Sequence, residues 1–459
     1  MVNLFIDIET YSSVDIKTAG AYKYIASPDF EILLIAFAIE KGEVRIFSPG
    51  DKSTAAIEQE FYNFLTESIV IKHAHNAVFE RLAFKRVGLD IPAAQWRCSA
   101  IKAGYCGLPL SLGDVSKALN LGDQGKSAAG KKLIQYFCCP QKPSKANGGR
   151  TRNQPYHAPE KWEEFKKYCI QDVEAEREII KRLSPYNIPQ TEQDLYVLDQ
   201  KINDRGILVD PLFAKNAVSF DETFAVTAEA RMIELTGVAN PNSAAQLKSW
   251  LSEAMQKDVT TLAKASVTEM LGEVEVGAVK EVLELRGKLA KSSTKKYLAM
   301  LNSKGEDDRI RGLFQFYGAN RTGRWAGRLV QMQNLPQNHI SDLQVARDLV
   351  TLGDYELTNL MYDDIPSLLS QLIRTAFIAP KGCTFAVADF SAIEARVIAW
   401  LADEKWRLEV FKTHGKIYEA SAAMMFNVPI EEVTKGSELR GKGKIAELAL
   451  GYQGAVGAL

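Results

Sequence analysis

The sequence predicts a mixed α/β chain in three parts: an α/β part over residues 1–185, a largely helical part over 186–340 and a mixed part over 341–459. Three observations carry this. Short runs suited to buried strands crowd the N-terminal part. The stretch from Gln190 to Asn302 is helical in pattern and mixed in charge. Strand character returns near Thr384–Asp389 (TFAVAD).

Taken in order, Asn3–Ile8 (NLFIDI), Glu31–Ile39 (EILLIAFAI), Glu43–Phe47 and Ile69–His73 (IVIKH) read as four strands. Amphipathic stretches over Thr54–Thr66 and Ala77–Arg86 read as helices between or after them, which gives the mixed layout. Glu160–Leu183 is helical, with Trp162, Phe165, Tyr168, Cys169, Val173 and Ile179 on its apolar side. Pro185 and Pro189 then break the chain and mark a boundary. Pro211 and Pro241 punctuate the helical middle, and a helix over Ser391–Leu401 follows the last strand.

Composition narrows the classes. Of 459 residues, 46% are hydrophobic and 25% charged, which supplies an ordinary core and excludes wholesale disorder. A net charge of -1 excludes a basic nucleic-acid coat, so a polyanionic partner would need local patches. One such patch is the stretch from Gly125 to Pro159, with seven Lys or Arg and no Asp or Glu. Its turn-rich core, Lys142–Pro155, suits either a solvated loop or a phosphate-contacting one. Six cysteines without CxxC spacing argue against a disulfide scaffold or a zinc site and for a reducing, cytoplasmic setting. No apolar run approaches the ~20 residues of a membrane span, and the N-terminus shows no signal-peptide pattern.

Asp7 and Glu9 stand two apart at the end of the first strand, so both carboxylates leave the same face. They repel unless a cation lies between them. Glu80, in His75-Asn76-Ala77-Val78-Phe79-Glu80, could add a third carboxylate, or could simply favour a helix N-terminus. Tyr168 and Asp172 are four apart and share a helix face; the Asp is hard to explain as packing. Together, Asp7, Glu9, Glu80 and Asp172 suit hard divalent cations, Mg²⁺ or Mn²⁺. Two ions about 4 Å apart can clamp the attacking and leaving oxygens of phosphodiester hydrolysis, with Tyr168 orienting the water. These segments, DIET, HNxxFE and YxxxD in order, resemble the three motifs of the DEDDy 3′–5′ proofreading exonucleases. The resemblance implies an RNase H-like domain over 1–185 acting on single-stranded DNA 3′ ends. Glu80 departs from it, since the family usually has Asp there.

A second set lies further on. TGRWAGRLVQMQNLP (Thr322–Pro336) places Arg324 and Arg328 around a Trp, with Gln333 and Asn334 following; guanidinium forks and amides suit a nucleic-acid backbone or minor-groove acceptors, although a polar loop with an anchored Trp reads equally well. Asp389 ends the expected strand and could bind metal or cap the next helix. Arg440, Lys444 and Leu448 form one stripe if Gly436–Leu450 is helical, with Tyr452 beyond; this suits a triphosphate and base, or a solvated basic face.

These segments, with VADFSAIEARVIAWLA and LRGKGKIAELALGYQG, resemble family A DNA polymerases of the bacterial DNA polymerase I type. INDRGILVD and NPNSAAQLKSWL resemble that family's thumb region, and the wording looks most like phage-encoded members. The resemblance implies a right-hand polymerase: a thumb-like region over 186–340 with the primer–template motif, then partial palm (motif A) and fingers (motif B) over 341–459. Asp389 would bind two catalytic Mg²⁺ (or Mn²⁺) ions. Glu394 would be the steric gate against a ribose 2′-OH. Arg440 and Lys444 would hold the dNTP triphosphate, Leu448 would stand where an aromatic is usual, and Tyr452 would lie beside the templating base. Arg324, Arg328, Gln333, Asn334 and Arg396 would contact primer–template DNA. No His-Asp pair of the motif C kind occurs in the sequence. The expectation is therefore a polymerase whose palm is incomplete in this chain, or is completed by a second chain. The alternative is a metal-dependent 3′–5′ exonuclease whose polymerase remnant only grips DNA.

Overall fold

The computed structural model describes residues 2–122, 130–291, 293–319, 321–451 and 454. It divides into two compact units, Met1–Gly382 and Cys383–Leu459. Among the described residues, no helix is long and apolar enough to cross a membrane.

In the first unit, strands β1 (Val2–Tyr11), β2 (Glu31–Ile39), β3 (Arg45–Phe47), β4 (Val70–Ala74) and β5 (Trp96–Cys98) form one sheet in the order β3-β2-β1-β4-β5. The pairs β1–β2 and β2–β3 are antiparallel, and β1–β4 and β4–β5 are parallel. All four expected strands are present. The fifth, Trp-Arg-Cys, is too short for periodicity to reveal. β2 is buried at every position from Ile32 to Ala38, as a strand covered on both faces must be.

Alternation along β1 sorts its side chains. Leu4, Ile6 and Ile8 enter one apolar cluster with Tyr24 and Ile25 of α1 (Ile16–Ala26), Phe61 and Leu65 of α2 (Ala55–Thr66), and Phe84 of α3 (Val78–Arg86). Phe5 and Tyr11 enter another. Helices α4 (Ser99–Tyr105), α5 (Leu112–Ala118), α6 (Gly130–Phe137) and α7 (Pro159–Arg182) come next along the chain. Phe137 of α6 and Trp162, Phe165, Tyr168 and Cys169 of α7 build that second cluster. Asp7 and Glu9 have the parity of Phe5 and Tyr11, so the strand aims them at the side where α7 packs. The β1–β2 register shifts between Glu9 and Thr10, a bulge of the kind that re-aims side chains beside sites.

The helical middle forms as expected: α8 (Gln190–Arg205), α9 (Pro211–Thr236), α10 (Ala244–Met255), α11 (Lys264–Glu273), α12 (Ala278–Leu289) and α13 (Lys295–Ser303). Two-residue strands β6 (Ile207–Leu208) and β7 (Arg309–Ile310) pair across it. A hairpin of β8 (Phe314–Ala319) and β9 (Arg324–Gly327) follows. Then come α14 (Leu343–Leu352), α15 (Tyr355–Met361) and α16 (Ile365–Leu372). α9 is the spine of this region: Phe213, Ala217 and Phe220 pack with Tyr297, Met300 and Leu369.

The second unit contains α17 (Ile393–Leu401), α18 (Lys405–Lys412), α19 (Ile417–Phe426) and α20 (Glu438–Gly451). Here one expectation fails. Thr384–Asp389 is not a strand; it has no regular structure and is exposed, Val387 at 90%. A strand needs a partner for its N–H and C=O groups, and no strand exists among the described residues of this unit. The following helix starts at Ile393, after Ala392 in the left-handed region (φ 50°), rather than at Ser391.

Candidate active sites

The first site forms where β1, α3 and α7 meet. Asp7 and Glu9 lie on β1, opposite Ala36 and Leu34 of β2. Glu80 lies in the first turn of α3, a favourable place for an acid, yet it is only 4% exposed. Asn76, in the left-handed region (φ 73°), turns the chain from β4 into α3; Asn tolerates that conformation better than most residues. Tyr168 and Asp172 lie on the buried face of α7.

The groups act on one another electrostatically. Burial pushes the Glu80 carboxyl well above its ordinary range, and the charges of Asp7, Glu176 and Glu9 push it further. Burial also raises the Tyr168 phenol, followed by Asp172 and Glu9, so Tyr168 stays a neutral phenol hydrogen-bonded to Asp172. Two thiols brace the strand carboxylates: Cys169 Sγ lies 3.3 Å from Asp7 Oδ2 and Cys138 Sγ 3.7 Å from Glu9 Oε2. Each of the charges that act on Glu80 and Tyr168 is a carboxylate. Among the described residues no three His, Cys, Asp or Glu groups already stand as a metal-ligand cluster. Mutual repulsion opposes such convergence until a cation offsets it. Glu80 Oε2 and Glu176 Oε1, both buried, have no hydrogen-bond partner, which is the donor chemistry a hard divalent cation takes.

Sequence reasoning missed three participants. Glu176 extends the Tyr168–Asp172 spacing by four more residues and is 1% exposed; that spacing was a readable signal. Ser99, at the start of α4, lies beside Glu176 and offsets part of the burial that raises its carboxyl. Gly130, at the start of α6, lies so close to the Tyr168 ring that a Cβ there would be 2.0 Å from it; nothing local marks that approach.

The basic loop is ordered by its own bonds. Asn147 Nδ2 donates to the Lys142 and Arg150 carbonyls. Arg152 pairs with Glu31 and lies 3.8 Å over the Tyr11 ring. Lys126 is outside the described residues.

The second set divides between the two units. In the first, Arg324 begins β9 and is exposed, as is Arg328, whose backbone N–H donates to Leu313 (2.8 Å). Trp325 between them is anchored through Nε1 to Asp199 (2.8 Å). Gln333 and Asn334 are exposed on a short turn, and Gln333 Oε1 lies where a Cβ on Gly327 would be. Arg328 also borders a cavity of about 530 Å³ lined by Tyr22, Asn76, Tyr196 and Gln315.

In the second unit, Asp389 is exposed in the irregular segment and does not cap the helix, since the cap residue is Ala392. Glu394 is in the first turn of α17. Arg396 donates to the Ser391 carbonyl (2.9 Å) and lies 4.4 Å over the Phe411 ring. Arg440, Lys444 and Leu448 share α20 at four-residue spacing, so the expected stripe forms. Arg440 is engaged by Glu419 of α19 (2.6 Å), whereas Lys444 is exposed. Tyr452 lies outside the described residues.

Residues 214–456 match the family model for DNA polymerase family A. The DNA polymerase of Bacillus phage SP02 is 55% identical over 460 residues, covering 100% of this chain and 70% of that one. A DNA polymerase I of Pseudomonas aeruginosa is 38% identical over 76 residues, 17% of this chain and 8% of that protein. The thermostable DNA polymerase I of Thermus aquaticus is 39% identical over 75 residues, 16% and 9%. The fold is similar to the POL domain of Pol1 from M. smegmatis, solved in complex with DNA primer-template and dNTP. That likeness has a TM-score of 0.57 and 18% identity, covering 98% of this chain and 67% of that one.

Proposed function

The chain belongs to DNA polymerase family A and is a DNA-directed DNA polymerase of that family; we propose that it joins two metal-dependent chemistries, dNTP addition at Asp389 and 3′–5′ removal of nucleotides at Asp7. The strand order β3-β2-β1-β4-β5, with β1–β4–β5 parallel and β2 and β3 antiparallel, supports an RNase H-like exonuclease domain. The observation that carries the nuclease reading is that Glu9, Glu80 and Asp172, all buried, gather with Asp7 and Tyr168 where β1, α3 and α7 meet. Such a set of carboxylate oxygens is the donor chemistry a hard divalent cation takes.

In the nuclease site, Asp7, Glu9, Glu80 and Asp172 would hold two Mg²⁺ or Mn²⁺ ions. Those ions, when bound, stabilise the attacking and leaving oxygens of the phosphodiester. The Tyr168 phenol, kept protonated by burial, positions the attacking water. Cys169 and Cys138 hold the strand carboxylates in place. The substrate is the 3′ end of single-stranded or frayed DNA.

In the polymerase site, Asp389 would hold the catalytic ions. Lys444, with Arg440 once released from Glu419, neutralises charge on the dNTP triphosphate. In the same unit, Leu448 would pack on the base, Glu394 would exclude the ribose 2′-OH and Arg396 would contact DNA; in the other unit, Arg324, Arg328, Gln333 and Asn334 would hold primer–template DNA. Replacing Asp389 with Ala should abolish primer extension and leave 3′-end shortening intact; loss of both together would contradict two separate centres.

A further inference from the structure

We propose that Glu176 is a fifth carboxylate of the nuclease centre, taking a divalent cation together with Glu80. It rests on the reading of Asp7, Glu9, Glu80 and Asp172 as metal ligands. Position is the first argument. Glu176 follows Tyr168 and Asp172 at two successive four-residue steps on α7, so one helix face carries all three. Burial is the second. Glu176 and Glu80 are 1% and 4% exposed, and each keeps one carboxyl oxygen, Oε1 and Oε2, without a hydrogen-bond partner. Native proteins seldom leave such an atom unsatisfied, and here two belong to acids close enough for the charge of Glu176 to act on Glu80.

The third argument is support. Ser99 lies beside Glu176 and its Oγ is 2.9 Å from His75 Nδ1; His75 Nε2 donates to the Leu110 carbonyl at 2.9 Å. These bonds brace the residues beside Glu176, whose Oε1 has no hydrogen-bond partner. Ligands of metal sites are commonly held by such outer bonds. This arrangement also gives His75, in the turn that leads from β4 into α3, a role as positioning residue.

The test is Mn²⁺ titration of the full chain, followed by electron paramagnetic resonance of the free ion, with Asp389→Ala in every protein to silence the other centre. Glu176→Gln, which keeps the side-chain size, should weaken Mn²⁺ binding at least about tenfold and raise the Mn²⁺ concentration needed for 3′-end digestion. KM for DNA should stay within about twofold, because the DNA grip lies elsewhere. Wild-type Mn²⁺ affinity in a folded Glu176→Gln protein, with binding lost in Asp7→Ala, overturns the proposal alone. Undiminished binding in Asp7→Ala overturns the underlying site instead. If Glu176→Gln does not fold, Ser99→Ala takes its place: weaker Mn²⁺ binding supports the assignment and unchanged affinity contradicts it.

Discussion

Tyr168 is held from both sides, by Phe165 stacked at 6.1 Å and by the backbone of Gly130. A methyl group at residue 130 would have to displace the ring or the start of α6. Gly130→Ala should therefore slow 3′-end digestion by about tenfold or more, since a misplacement of about 1 Å can cost 10²-fold, while leaving primer extension unchanged; equal digestion rates would show that the phenol's place does not matter. His73 gives a pH prediction. Burial, and then the charge of Arg97, hold its imidazole down at about 3 from an ordinary 6.5; it stacks on Phe5 at 4.8 Å and bonds Asn3 Oδ1 through Nε2 at 2.9 Å. The unfolded chain binds the proton more readily between those values. Stability is thus fully present above about 6.5 and falls as pH drops toward 3. Urea midpoints at pH 7 and pH 4.5 should differ less in His73→Asn than in the wild type. Of the site residues, Asp7, Glu9, Tyr168 and Asp172 were legible because spacing on one element places them. Gly130 and Ser99 were not, because their contacts join segments far apart in sequence.

At the scale of elements, α9 shows how local signals and packing combine. Asp210 caps it by accepting from Phe213 N–H (3.0 Å), Pro211 opens it, and Gly237 ends it in the left-handed region (φ 70°). Asp210 also pairs with Arg347 at 2.6 Å. Asp210→Ala should lower stability by about 2 kcal/mol, the lost cap together with a half-buried guanidinium left unpaired; a shift below about 0.5 kcal/mol in chemical denaturation would contradict that role. Helices and long strands were legible in the sequence because their periods are local. Residues 384–389 misled for the complementary reason: alternating apolar residues describe a strand's faces but not its partner, and pairing is what makes a strand. The β8–β9 hairpin went unread because Gly318 and the Arg324–Gly327 turn back fit no regular alternation.

For the whole molecule, near-neutral overall charge makes DNA binding depend on local cations, which under the proposed function include Arg324, Arg328 and Lys444. Affinity for primer–template DNA should fall steeply, roughly 10³-fold between 50 and 200 mM salt for about six phosphate contacts; a flat response would exclude backbone-led binding. The order of motifs along the chain made the family legible, because several segments in fixed sequence are far more specific than any one. What stayed unread was how buried acids are compensated, which depends on three-dimensional neighbours. The most direct measurement follows a labelled primer–template in Mg²⁺ without dNTPs, comparing wild type with Asp7→Ala. Stepwise 3′ shortening by the wild type, abolished in the variant, is the predicted result. Shortening that persists undiminished in Asp7→Ala, or none in either protein, would contradict a nuclease centre built on β1, α3 and α7.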